Sequence, residues 1–213
     1  ASITRIYESQ QVIEEVAYDI SKHYTENWKN TGFKAQLAVP KIDTAVKYQD
    51  FFENQINEKL RINTAVVFTP PDNRQGYFDV LEDPNERGRK YWQKINKKYG
   101  NQEAYEEYVI SKFKEKDDEI ELIIVVSKLL TGFDAPRNTI LYLAKPLHSH
   151  NLLQAIARVN RLFEQKDYGY IIDYVGLLGK LDEALTQYGA FEGFEEEDLV
   201  NAVFDIKDII RKV

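Results

Sequence analysis

A chain of 213 residues, 43% of them hydrophobic, carries enough apolar material for one sizeable domain with its own core. Its net charge of −7 excludes a globally basic nucleic-acid binder, so any nucleic acid it meets is expected to be met through a local patch. Zero cysteines exclude disulfides, thiol nucleophiles and Cys-based metal centres; with no apolar run near the roughly 18 residues of a bilayer span and no export leader pattern, a soluble, cytoplasmic protein without membrane contact is expected.

In chain order, the first expected element is a long helix over 10–29, ended by "NTG". A strand follows over 35–39 ("AQLAV"), then a helix over 43–60 that places Val46, Phe51 or Phe52, Ile56 and Leu60 at helical spacing. A second strand is expected over 64–69 ("TAVVFT"). Residues 70–100, rich in charge, Pro and Gly, read as a surface insertion with one short helix. A helix over 103–114, strands over 121–126 ("ELIIVV") and 139–143 ("TILYL"), a helix over 151–163, a strand over 168–173 ("YGYIID") and a helix over 177–188 complete the series. The strands are continuous apolar runs, which suits a parallel sheet buried on both faces. Their alternation with helices argues for a doubly wound α/β domain. Near the end, "EGFEEEDL" reads as a solvated linker whose acids favour the start of a last helix. A chain lacking methionine altogether is read as part of a longer protein, and "AVFDIKDIIRKV" stops within a helical pattern.

Two stretches carry candidate chemistry. In "NLLQAIARVNRLF", Gln154, Arg158 and Arg161 fall in one stripe of a helical wheel whose remaining circumference is apolar except for Asn160. Two guanidiniums and an amide, with no carboxylate beside them in sequence, offer planar donors that suit phosphate or carboxylate. The alternative is that both arginines pair with distant acids such as Asp134 or Asp173 and tie the domain together. The second stretch is "SKLLTGFDAPRNT", which continues the third strand and is expected at the carboxyl edge of the sheet, where ligands bind in such folds. There Gly132 permits close backbone approach and Asp134 can accept a hydrogen bond from a ribose or hold an arginine.

In order and spacing, "TGFDAP" followed by a strand and "QAIARVNR" resembles motifs V and VI of superfamily 2 helicases and translocases. The longer text "LLTGFDAPRNTILYL…KPL…HNLLQAIARVNR…KDYGYIIDYVGLLGKLDEAL" is similar to the restriction, or motor, subunit of type I restriction–modification enzymes, over about residues 32–199. The resemblance implies a RecA-like, three-layer α/β domain with a mainly parallel sheet: a helical lead-in over 1–31, the second RecA-like motor domain over 32–190, and an acidic linker with the start of a C-terminal helical region over 191–213. It implies an ATP site shared with a first motor domain that supplies the P-loop and the Mg²⁺-binding acids. Carried onto this chain, Arg161 takes the arginine-finger position and Arg158 that of its companion. Gln154 opens the motif, and Gly132 and Asp134 meet the nucleotide or couple it to DNA. Thr131, and more weakly Lys41 and Thr44 of a motif IV-like stretch, fall beside the DNA track. One departure is Ala157, where many superfamily 2 members have Gly. The implied partners are double-stranded DNA, the first motor and nuclease domains of the same subunit, and the methyltransferase and specificity subunits. The implied activity of the whole is ATP-driven DNA translocation followed by cleavage.

The chain lacks other expected parts. It has no G-x-x-x-x-G-K-[ST], and no acidic Mg²⁺-binding motif follows an apolar strand, so half an ATP site cannot hydrolyse ATP alone. "KEKDDEIEL" reads as a polar helix end, not a nuclease core, and His148 and His150 lack a third ligand, so no metal site is expected. Two other readings stay open from sequence: the second RecA-like domain of another superfamily 2 DNA or RNA helicase, and a non-catalytic Rossmann-like binding module.

Overall fold

The computed structural model describes residues 9–68, 87–116, 119–126, 135–147, 149–161, 163, 166 and 168–177. Helix α1, Gln10–Asn27, starts where the Ser9 side chain accepts from the Val12 amide and buries Ile13, Ala17, Ile20 and Tyr24 on one stripe. It stops as "NTG" predicts: Asn30 has φ 66° and Gly32 φ 83°, the left-handed region that ends a helix cheaply only with such residues. A Cβ on Gly32 would also lie 2.8 Å from Lys116 Cγ.

Five strands follow the expected positions within a residue or two: β1, Lys34–Ala38; β2, Thr64–Val67; β3, Leu122–Val125; β4, Asn138–Leu143; and β5, Tyr170–Asp173. They form one sheet in the order β2-β3-β1-β4-β5, and every pairing is parallel. β1, β3 and β4 are buried throughout, so their continuous apolar text reflects cover on both faces. The crossover helices are α2, Ile42–Glu53, which packs on β2 and β3; α4, Gln102–Lys114, which packs on β2; and α5, Ser149–Val159, which packs on β4. The right-handed rule for parallel crossovers puts α2 on one face and α4 and α5 on the other. α1 packs beside α2, and its His23 ring nitrogen lies 2.8 Å from the Tyr142 hydroxyl of β4. Burial lowers the proton affinity of His23. The result is a three-layer parallel α/β architecture.

Three expectations change. α2 ends at Glu53, not at residue 60; the apolar spacing runs on past Asn54, but Ile56 is 98% exposed and only a short 3-10 turn, Glu58–Leu60, follows. α5 ends at Val159, short of residue 163, so Arg161 is past the helix and not on its wheel. The 70–100 stretch is not all surface. Its helix α3, Arg87–Tyr99, buries Gly88 and Ile95 and packs on α2 and α4.

α3 also helps to close the outer edge of β2. The Tyr91 hydroxyl lies 3.4 Å from the Val66 amide, Gln49 of α2 donates to the Thr64 carbonyl at 3.1 Å, and Gln102 of α4 donates to the Phe68 carbonyl. Edge groups that would otherwise face solvent thus meet side chains from three helices. The expected helix over 177–188 beyond Leu177, the acidic linker, and residues 69–86 lie outside the described residues.

Candidate functional site

α5 buries Leu152, Ala155, Ile156 and Val159, the i, i+3, i+4, i+7 pattern of a helix with one face on a sheet. Gln154 and Arg158 are half-buried one turn apart, and Ala157 between them is half-buried too. Arg158 stands in the last turn, where the partial negative charge of the helix end favours a cation. Arg161 follows Asn160 and is exposed. The half-buried arginine and the exposed one therefore sit on either side of a helix terminus.

That terminus is tightly fixed. The Asn160 amide donates to the Ile156 carbonyl at 3.0 Å, and its side-chain oxygen accepts from the Gly169 amide at 2.9 Å. Gly169 is obligatory by space: a Cβ there would lie 2.3 Å from the Val159 carbonyl oxygen. Phe163 and Lys166 exchange backbone hydrogen bonds of 3.2 and 2.8 Å, closing the return toward β5. Lys166 is 4% exposed, and its ammonium donates to the carbonyls of Pro136 (3.1 Å) and Asn138 (3.0 Å) at the entry to β4. Burial pushes Lys166 down to about 8. Beside it the Arg137 guanidinium lies 5.0 Å from the centre of the Phe163 ring. The arginine-bearing turn is thus tied to residues 136–138, which directly follow the Gly132–Asp134 stretch in the chain.

The arginines stand at the amino edge of β4 and β5; the carboxyl edge was the expectation for the 127–134 stretch. Residues 127–134 join the carboxyl end of β3 to the amino end of β4; Thr131, Gly132 and Asp134 among them lie outside the described residues, as does His148. Lys41 and Thr44 sit at the opposite, carboxyl edge, just after β1. Lys41 is exposed at the N-cap of α2, whereas Thr44 in its first turn is only 2% exposed, so a direct contact from Thr44 to DNA is not available on this surface. Among the described residues, no group of three His, Asp or Glu side chains could hold a metal ion, and no helix is long and apolar enough to cross a membrane.

Sequence reasoning missed Asn160, Lys166 and Gly169. A glycine between two tyrosines at a strand start was the visible signal for the close approach at Gly169. A buried lysine leaves no such mark, because its burial depends on carbonyls some thirty positions away.

The profile of the family "Type I restriction enzyme subunit R domain 3" matches residues 31–176. The HindI type I restriction enzyme endonuclease subunit of Haemophilus influenzae is 42% identical over 216 residues, covering 94% of this chain and 18% of that protein. The SauMRSORF196P endonuclease subunit of Staphylococcus aureus is 30% identical over 190 residues, covering 83% of this chain and 20% of the relative. A solved fragment of an HsdR subunit of a type I restriction enzyme from Vibrio vulnificus YJ016 superposes with a TM-score of 0.50 at 21% identity, covering 88% of this chain and 31% of that one; it is similar in fold. The chain spans about a fifth of the length of the curated relatives it matches. On the profile match across most of its length, this chain belongs to the family of domain 3 of the type I restriction enzyme R subunit.

Proposed function

We propose that this chain is the second motor domain of a type I restriction enzyme R subunit and supplies half of an ATP site that drives DNA translocation before cleavage. The lead-in is 1–31, the motor domain 32–190, and 191–213 the acidic linker and start of a C-terminal helical region. Arg161 reaches the transferring phosphoryl and Arg158 backs it from the last turn of α5. Gln154, Gly132 and Asp134 complete the nucleotide-facing side. Thr131 and Lys41 face DNA, and Thr44 builds the helix start beneath Lys41. The observation that carries the reading is the pinned end of α5, where Asn160, Gly169 and Lys166 hold the arginine turn against residues 136–138. Pre-positioned donors cost no reorganisation when charge develops.

The donor set fits a nucleotide phosphate: two planar forks and an amide. ATP with Mg²⁺, held mainly by the first motor domain, supplies the phosphoanhydride whose cleavage powers movement. Double-stranded DNA, the first motor and nuclease domains, and the methyltransferase and specificity subunits are the partners, in the cytoplasm.

The test is Arg161→Ala in the complete subunit. ATPase and translocation should fall by about 10³ or more, the usual weight of an arginine finger, with folding and DNA binding retained. Normal ATPase in that variant rejects the role. The isolated chain should bind ATP weakly and not turn it over; robust hydrolysis by it contradicts the half-site.

A further inference from the structure

Helix α3 holds six of the chain's 28 Lys and Arg residues within thirteen positions and contains no Asp or Glu, although the chain as a whole is acidic. The structure sorts these residues by face. Gly88 and Ile95 are buried, and Tyr91, Trp92 and Tyr99 pack against the core. The i, i+3, i+7, i+10 positions Arg87, Lys90, Lys94 and Lys97 are exposed, with Lys98 exposed beside them. At about 1.5 Å per residue the stripe is about 15 Å long.

Its position matters as much as its charge. The Arg87 guanidinium lies 3.6 Å from the Asp43 carboxylate, in the first turn of α2, which also holds Lys47 at 2.6 Å. Lys41 is the N-cap of that turn. The stripe therefore starts beside Lys41 and runs outward along α2. A second acid faces it: Glu53 at the end of α2, whose proton affinity burial raises and Lys94 partly lowers. Lys97 and Lys98 have no acid among the ion pairs described.

We infer that the exposed face of α3 binds the phosphate backbone of duplex DNA without reading sequence, extending the DNA track from Lys41 past the edge of the sheet. The inference rests on the proposed role in a DNA motor. Lysines are flexible point charges that suit a repeating anion with no fixed orientation. Alongside 15 Å of duplex there are about nine phosphates, ample to match five cations. The remaining candidate for the surface is the chain's own acidic stretch "EGFEEEDL". DNA is favoured because the stripe is continuous with Lys41.

The experiment is duplex binding by the complete subunit without ATP, over a salt series, on several unrelated sequences. The variant Lys90→Gln/Lys97→Gln/Lys98→Gln should weaken binding on every sequence and flatten the log–log salt slope by about 0.9 per neutralised contact, hence by two to three. The matching Lys→Arg variant should keep both affinity and slope. An unchanged slope in the Gln variant overturns the inference. So does a Gln variant that binds DNA as before but melts earlier, the result expected if the stripe docks the acidic segment instead. Because no nucleotide is present, these outcomes are independent of the Arg161 test; a parent subunit that binds no duplex would instead reject the motor reading itself.

Discussion

α3 spreads lysines over an exposed face, whereas α5 sets arginines about a half-buried, hydrogen-bonded terminus. The two helices lie on opposite sides of the sheet's centre, one wrapping the β2 edge and the other covering β4. The contrast teaches how a chain of net negative charge can hold two cationic regions of different kinds. A phosphate that must be met in one geometry calls for rigid forks at a fixed place. A phosphate backbone that slides past calls for many adaptable charges and little fixed geometry. Around α5, side chains are spent on fixing position: Asn160, Phe163, Lys166 and Gly169 all serve the turn. Around α3, the packing fixes the inner face and leaves the outer one to solvent.

The sharpest way to break this contrast is to exchange the two cations. Arg161→Lys keeps the charge and loses the fork, so ATPase of the complete subunit should fall by about 10² or more while duplex affinity holds. Near-normal turnover would mean that charge alone suffices at α5. Gly169→Ala comes next. The added methyl must displace the end of α5 or the entry to β5, at a cost of about 3 kcal/mol in urea unfolding of the chain. A loss under about 0.5 kcal/mol would show that the terminus yields and is not rigid.

Lys166 offers a third probe. Its folded-state value of about 8 lies below its ordinary 10.5, so between these values the unfolded chain binds more protons and the folded state gains stability as pH rises. Lys166→Met removes that gain. From pH 8 to 10 the parent's thermal midpoint should rise relative to the variant's; parallel profiles would mean that Lys166 is solvated. The smallest effect belongs to α3. Tyr91→Phe deletes the hydroxyl that meets Val66 and Tyr105, and should cost about 1 kcal/mol without changing the salt slope of DNA binding.

The strands were legible because double-sided burial writes itself as unbroken apolar text, as in "LIIV" of β3. The helix ends were not. Ile56 and Leu60 prolong the helical spacing of α2, yet the chain turns at Asn54, and Ile56 ends up in solvent. In α5 the wheel ran through Asn160 to Phe163. At the end of the helix the Asn160 side chain accepts from the Gly169 amide, nine residues on, a contact no local pattern contains. The Arg158–Arg161 pair was visible as a composition anomaly, and the amino edge on which it stands follows from a helix that runs back between two parallel strands. The basic text of α3 was equally visible; its sorting into a packed face and an outer stripe needed the partners Val66 and Tyr105.

The cover over β2 has one more consequence. Gln49, Tyr91 and Gln102 come from three separate helices, so no single local opening uncovers the whole strand border. Shortening the chain by cutting out α3 would change that at once. It would leave a bare hydrogen-bonding template at one end of an otherwise sealed sheet, ready to recruit an extended segment from a neighbouring copy. The helix with the cationic outer face is thus also part of what covers the sheet's open border.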